Sequence, residues 1–246
     1  MAPTFTMRQG IVPGRDHILS GKNCQDAVRS RSVVIGSSTY YMAFVCDGCS
    51  SGKFTESGAN LGAEYLINQS IIHLKNGLSV PLVVSFLYSD LKDYLWWLLN
   101  SYYMEPLQQS LFIQDYFLFT VVGVIIGPDE TAFINAGDGV IIIDKEVIIR
   151  DCNNEPPYPA YHLVDQKFLP SNRRKLPDNF EITLKKTSDV NKIAIGSDAW
   201  TSYLPLIDEL WGLNHPNSVQ RKMNVWSSTN HYLQDDASIV ILEKEK

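Results

Sequence analysis

Residues 43–48 read Ala-Phe-Val-Cys-Asp-Gly, and residues 193–199 read Ile-Ala-Ile-Gly-Ser-Asp-Ala. In each stretch, an apolar run of strand-forming residues is followed by an aspartate among small residues. The same order recurs at residues 133–139, Phe-Ile-Asn-Ala-Gly-Asp-Gly, and it runs in reverse at residues 235–240, Asp-Asp-Ala-Ser-Ile-Val. Because a strand end joins a rigid scaffold to solvent, this pattern predicts carboxylates held at fixed separations by the ends of several strands.

The rest of the sequence predicts groups of consecutive strands and groups of consecutive helices. Apolar residues at helical spacing over 63–74 and 84–98 predict two long packed helices. Short connections over 116–150 predict a four-stranded antiparallel meander. The other predicted elements are strands at 33–35, 41–46, 180–185, 192–195 and 238–242, with helices near 203–212 and 217–226. Strands and helices that are grouped rather than strictly alternating indicate an α+β fold.

The length of the chain, 246 residues, allows one domain with a substantial core, and we expect residues 1–246 to form a single domain. Residues 151–180 interrupt the regular pattern with five of the twelve prolines, which predicts a long surface excursion or flap. This segment also carries the basic run Arg173-Arg174-Lys175. Such a run is typical of a solvated loop, and beside an anion-binding site it would guide a phosphorylated segment.

Charge and apolar runs exclude two classes of partner. Lys and Arg number 21 against 27 Asp and Glu, so the net charge of -6 repels polyanions, and nucleic acid is not an expected partner. The longest apolar run, 116–126, is shorter than the roughly 20 residues that span a bilayer, so membrane insertion is not expected. Four cysteines without a signal-peptide pattern predict a cytoplasmic protein rather than a secreted disulfide scaffold.

The recurrent aspartates favour a site for divalent metal ions. Carboxylates brought together raise one another's pKa unless a cation neutralises them, and oxygen ligands suit Mg²⁺ or Mn²⁺ better than zinc. Each acid also has a local explanation: Asp138-Gly139 is a hairpin signal, Asp198 can cap a helix, and Asp235 can be solvated. Five stretches that share one pattern, including Gln25-Asp26-Ala27, are better explained together by a metal site.

Taken in order, the five motifs resemble the motif series of the PP2C-type metal-dependent protein serine/threonine phosphatases. The motifs are 25–27, 45–48, 136–139, 195–198 and 235–238, and the similarity extends over residues 14–243. The stretch Gly14-Arg15-Asp16-His17 before the first motif is most similar to the compact bacterial branch of that family. The resemblance implies an α+β fold in which a sandwich of two antiparallel β-sheets is flanked by helices.

The same resemblance implies a reaction and a set of metal ligands. Two Mg²⁺ or Mn²⁺ ions would share a water that attacks the phosphoserine or phosphothreonine of a phosphorylated protein substrate directly, without a covalent intermediate. Asp47 would bridge the two ions, and Asp26 would act mostly through metal-bound water at the second ion. The implied ligands are Asp26, Asp47, the Gly48 carbonyl, Asp198, Asp235 and, for a weakly held third ion, Asp138.

The chain departs from the family pattern at several site positions. The neutral Gln25 stands where many members have an acid, Cys49 replaces a histidine of eukaryotic relatives, and Ser202 replaces an acid of the third metal site. These departures leave open a second hypothesis, a non-catalytic relative that binds a phosphoprotein or a regulator without hydrolysing it. A phosphatase for small metabolite phosphates is a third hypothesis, because it would share the metals and differ only at the entrance.

The residue that binds the substrate phosphate is also left open by the sequence. Eukaryotic relatives carry an arginine in the first motif, where this chain has Gly21. Arg15, His17 and Lys22 are the candidates to bind the phosphate in its place.

Overall fold

The computed structural model describes residues 3–153, 155–169, 176–230 and 233–245. In this part of the chain, ten strands form two five-stranded antiparallel sheets. The strands are β1 (Phe5–Val12), β2 (Asp26–Ile35), β3 (Ser38–Asp47), β4 (Val121–Ile126), β5 (Glu130–Ala136), β6 (Gly139–Ile143), β7 (Glu146–Arg150), β8 (Glu181–Lys186), β9 (Lys192–Gly196) and β10 (Ala237–Lys244). The strand order is β1-β10-β9-β6-β7 in the first sheet and β2-β3-β4-β5-β8 in the second sheet.

Helices cover the outer faces of both sheets. The α-helices are α1 (Arg15–Ser20), α2 (Thr55–Lys75), α3 (Val80–Asn100), α4 (Pro106–Tyr116), α5 (Leu204–Ile207) and α6 (Ser218–Val225). Helices α2 and α3 pack against the second sheet, and α6 packs against β1 of the first sheet. The predicted α+β sandwich of two antiparallel sheets flanked by helices is therefore confirmed, and the two predicted long helices are α2 and α3.

Strand β4 shows how the sequence produces these layers. All six of its residues are buried, because β4 lies in the middle of the second sheet. Val122 and Val124 face the core between the two sheets, whereas Val121 and Ile125 face the core beneath the helices. An apolar run without polar alternation is the pattern expected of a strand that is covered on both faces.

The predicted meander over 116–150 is wrong, because its four strands belong to different sheets. Strands β4 and β5 pair in the second sheet, and strands β6 and β7 pair in the first sheet. The chain crosses between the sheets at Gly137 and Asp138, and the φ of 98° at Gly137 lies in the region that favours glycine. Asp138 thus occupies a crossover rather than the tip of a hairpin.

Helix α4 was not predicted, although its start carries recognisable signals. Pro106 occupies its first turn, and Glu105 and Gln108 form a capping box. The helix ends at Tyr116, where the sequence pattern had indicated a strand.

The described part of the 151–180 segment is anchored on the core. It contains two 3₁₀ turns, Pro159–Leu163 and Gln166–Phe168, and the first of them packs on α3. Tyr158 and Tyr161 are buried there. The basic run Arg173-Arg174-Lys175 lies outside the described residues. Across the described ranges, no helix is both long enough and apolar enough to cross a membrane.

Candidate active site

The second sheet brings two of the predicted aspartates side by side. Asp26 is the first residue of β2 and Asp47 is the last residue of β3, and the antiparallel register places them opposite each other. The Gly48 N–H donates to the carbonyl of Gln25 at 3.1 Å, and the Thr120 N–H donates to the carbonyl of Asp47 at 2.8 Å. These backbone bonds hold the ends of β2 and β3 and the approach to β4 at one edge of the sheet.

The first sheet has its acids at the strand ends that lie next to Asp26 and Asp47 of the second sheet. Asp198 follows the end of β9, and Asp235 precedes the start of β10, which is the antiparallel neighbour of β9. The Ser197 N–H donates to the carbonyl of Ser238 at 3.1 Å, which ties the two strand ends together. The Ser238 hydroxyl in turn donates to Asp26 Oδ2 at 2.6 Å, so a direct hydrogen bond joins the acidic edges of the two sheets.

A cleft of about 360 Å³ opens where these edges meet. Five aspartates line it, and four of them were predicted from the sequence: Asp47, Asp138, Asp198 and Asp235, together with Asp236. Gly48, Gln25 and His17 also line the cleft. Asp26 is buried at 2% exposure beside Asp47 and is not part of the cleft wall.

Three other predicted positions lie away from the cleft wall. Arg15 and Lys22 are exposed, and the Lys22 ammonium reaches only the Ser50 carbonyl at the rim, at 3.5 Å. Ser202, the position that an acid would occupy in a third metal site, is exposed at the end of a 3₁₀ turn that begins at Asp198. Of the three phosphate-binding candidates, His17 is the one that lines the cleft.

Burial and mutual repulsion raise the pKa of the central carboxyls. Burial, with the charge of Asp236, raises the pKa of Asp26 to about 7, although hydrogen bonds such as that from Ser238 act in the opposite direction. Burial, followed by the charges of Asp26 and Asp198, holds the pKa of Asp47 well above its usual range. Burial also raises the pKa of Asp198. Without a counter-charge, the protonated forms of these three carboxyls are therefore favoured.

The oxygen atoms in and beside the cleft are suitable ligands for a hard divalent cation. Gln25 Oε1, Asp26 Oδ1 and Thr120 Oγ1 are buried and have no hydrogen-bond partner within the described chain. Carboxylate, amide, hydroxyl and carbonyl oxygens are the ligands that Mg²⁺ and Mn²⁺ prefer. Among the described residues, no three Asp, Glu, His or Cys side chains already converge closely enough to form a complete metal site.

The amide orientation of Gln25 is set by its surroundings. Its Nε2 donates to the Thr55 hydroxyl at 2.8 Å and to the Gly52 carbonyl at 3.3 Å. A carbonyl can only accept, so the nitrogen must face the loop before α2, and Oε1 is the atom left for a ligand. Gln25 thus offers the site a neutral oxygen where an acid would offer a charge.

Asp236 is a site residue whose role sequence reasoning missed. It is buried, and its carboxylate accepts from the Gly14 N–H at 2.7 Å, the Gln25 N–H at 2.5 Å and His17 Nδ1 at 2.7 Å. The signal was the doublet Asp235-Asp236, but the sequence alone did not indicate that the first acid faces the cleft as an exposed group and the second organises the backbone.

Tyr158 is a second residue that the sequence did not single out. With Pro156, it extends the 151–169 segment to the cleft wall. Burial and a contact with the Cys49 thiol raise the pKa of the Tyr158 phenol far above its usual value, so this hydroxyl stays protonated.

The fold and the site together define a structural class. Its members are α+β sandwiches with an acidic cleft where strand ends of the two sheets meet. Residues 13–226 match the family described as protein phosphatase 2C, and the chain belongs to that family. No curated protein sequence matches the chain.

Solved structures share the fold at low sequence identity. The serine/threonine phosphatase Stp1 from Staphylococcus aureus is 11% identical with a TM-score of 0.61, over 99% of this chain and 96% of that one. The catalytic domain of the serine threonine protein phosphatase PstP, solved with two manganese ions, is 12% identical with a TM-score of 0.59, over 99% of this chain and 100% of that one. RsbX, solved with magnesium, is 12% identical with a TM-score of 0.53, over 98% and 96%.

Proposed function

We propose that this chain is a Mg²⁺- or Mn²⁺-dependent phosphatase that hydrolyses phosphoserine and phosphothreonine on proteins, and that residues 1–246 act as a single domain. The observation that carries the proposal is the oxygen-rich cleft in which aspartates from the ends of both sheets meet, where burial and repulsion raise the pKa values of Asp47, Asp198 and the adjoining Asp26. Membership of the protein phosphatase 2C family supports it. The manganese bound by PstP and the magnesium bound by RsbX support the choice of ions.

The residues that would hold the ions are those that line or adjoin the cleft. They are Asp47, the Gly48 carbonyl, Asp198 and Asp235, with Asp26 acting through water and Asp138 available to a weaker third ion. Bound divalent cations would offset the carboxylate charges and lower the pKa of the water that attacks phosphorus. Ser238 orients Asp26 by its hydrogen bond to Oδ2, which leaves Oδ1 for a ligand on the other side.

A non-catalytic phosphoprotein-binding module remains the second candidate, and one observation favours it. Gln25 Oε1 is buried without a partner, so the site has a neutral oxygen where many family members place an acid. A less negative site would hold two dications less tightly, and a protein of this kind would bind phosphoprotein without turning it over.

Metal titration with two substrates separates these candidates. We expect the wild-type protein to hydrolyse p-nitrophenyl phosphate and a phosphoserine peptide in manganese, and to lose both activities in EDTA. Asp47→Asn should abolish turnover while the protein stays folded, whereas the exposed Asp208→Asn is a matched control that should behave like wild type. Peptide binding without hydrolysis at any manganese concentration would favour the binding module, and full activity in Asp47→Asn would refute the proposed site.

A further inference from the structure

We propose that His17 is a catalytic residue that donates a proton to the seryl or threonyl oxygen as it leaves phosphorus, and that Asp236 is the residue that positions it. This inference rests on the proposed phosphatase function. It starts from the pairing of a buried imidazole, 8% exposed, with a buried carboxylate at the wall of the acidic cleft.

The hydrogen bonds of Asp236 determine which nitrogen of His17 faces the cleft. Asp236 Oδ2 lies 2.7 Å from His17 Nδ1, and the same carboxylate accepts from the N–H groups of Gly14 and Gln25 and is hydrogen-bonded to the Cys24 thiol. The two backbone N–H groups can only donate, and each occupies one oxygen of the carboxylate, so the carboxylate acts as an acceptor and Nδ1 carries the hydrogen. Nε2 has no hydrogen-bond partner among the described residues and is the ring nitrogen left for a ligand in the cleft.

Helix α1 holds the ring in place because its start is docked on the segment before β10. The N–H groups of Arg15 and Asp16 donate to the carbonyls of residues 233 and 234, both at 3.2 Å. Gly14 lies so close to this segment that a Cβ there would be 2.3 Å from the Asp235 carbonyl carbon. His17 is therefore fixed relative to Asp235, whose side chain shares the same cleft.

The reaction needs a proton donor because a serine alkoxide is a poor leaving group. Histidine is the side chain type that holds and releases a proton near neutral pH, and it is the commonest general acid of enzymes. Two other uncharged groups that line the cleft and can donate a hydrogen are less suited. The phenol of Tyr158 has a pKa raised by burial, and the Cys49 thiol is a weak donor that pairs with the Ser51 hydroxyl at 3.1 Å.

In the proposed step, the oxygen of water forms a bond to phosphorus while the bond between phosphorus and the seryl oxygen breaks. The electron pair of the broken bond goes to the seryl oxygen, which takes the proton from His17 Nε2, so serine leaves as a neutral alcohol. The proton released by the attacking water returns to Nε2 through solvent, and inorganic phosphate is the second product.

The test compares two leaving groups in the 246-residue chain with manganese. For a phosphoserine peptide, we expect kcat of His17→Asn to fall about 100-fold or more, the range in which general acids contribute. For p-nitrophenyl phosphate we expect little change, because p-nitrophenolate leaves without a proton. His17→Gln should repeat the pattern, and added imidazole should restore part of the peptide hydrolysis of His17→Ala.

The controls distinguish this inference from the function on which it rests. His215→Gln removes an exposed histidine and should match wild type on both substrates. An equal loss on both substrates in His17→Asn, or a loss of manganese binding by calorimetry, would overturn the proton-donor role, because a phosphate-binding or structural residue behaves in that way. Absence of metal-dependent hydrolysis in the wild-type protein would instead refute the phosphatase function, and the inference would fail with it.

Discussion

Replacing Asp26 by asparagine should stabilise the metal-free protein at neutral pH. In the folded chain, burial and the charge of Asp236 raise the pKa of Asp26 from 3.8 to about 7. At a pH between these two values, Asp26 has released its proton in the unfolded chain and has kept it in the folded chain. The unfolding free energy of the wild-type protein in EDTA should therefore fall as the pH rises from about 4 to about 7, and then level off.

The size of the effect follows from the same pKa values. One pKa unit corresponds to about 1.4 kcal/mol, so the rise from 3.8 to about 7 corresponds to about 4 kcal/mol of unfolding free energy at pH 8. Asparagine retains an oxygen that can accept from the Ser238 hydroxyl and carries no charge. It also removes the repulsion that Asp26 exerts on Asp47, whose raised pKa contributes with the same sign.

Urea unfolding in EDTA, followed by tryptophan fluorescence between pH 4 and pH 8, measures this difference. We expect Asp26→Asn to exceed wild type by up to about 4 kcal/mol at pH 8 and to match it near pH 4. Manganese at 100 times the Kd should narrow the difference by about 2.7 kcal/mol, because the ion stabilises the wild-type fold and is bound less tightly by a site that has lost the Asp26 carboxylate. A wild-type unfolding free energy that is equal at pH 5 and pH 8 in EDTA would refute this reasoning.

Three further predictions concern the surroundings of the site. Gly14→Ala should lower both the melting temperature and the phosphatase rate, because its Cβ would lie 2.3 Å from the Asp235 carbonyl carbon; an unchanged melting temperature would show that the segment before β10 can shift at no cost. Asp138→Asn should raise the manganese concentration for half-maximal rate, because Asp138 lines the cleft and would offer its carboxylate to a weak third ion, whereas Ser202→Asp should leave it unchanged, because Ser202 is exposed away from the cleft wall; calorimetry with three tight equivalents in wild type would contradict this. Lys22→Gln and Arg15→Gln should change KM for a phosphoserine peptide only slightly, since both side chains are exposed outside the cleft wall. A large rise in KM in either variant would show that the replaced residue binds the phosphate.

Local side-chain patterns are enough to predict the fold class and most of the acids of the cleft. Apolar runs that end in Asp47 and Asp198 specify buried strands by their side-chain pattern, and that pattern is a local property of the chain. The stripe that includes Ala63, Ile67 and Leu74 likewise predicted helix α2, because helical periodicity is visible in one segment without knowledge of its partner.

The pairing of the strands and the separate roles of the acids depend on contacts between distant parts of the chain. Asp138-Gly139 can form a turn in a hairpin or in a crossover between sheets. The crossover forms here because β6 pairs with β9 in the first sheet. Asp235 and Asp236 are adjacent and of the same residue type, so the sequence does not distinguish their roles. In the fold, the N–H groups of Gly14 and Gln25 donate to Asp236. Register, sheet partner and hydrogen-bond environment depend on residues far apart in the chain, so no local pattern encodes them.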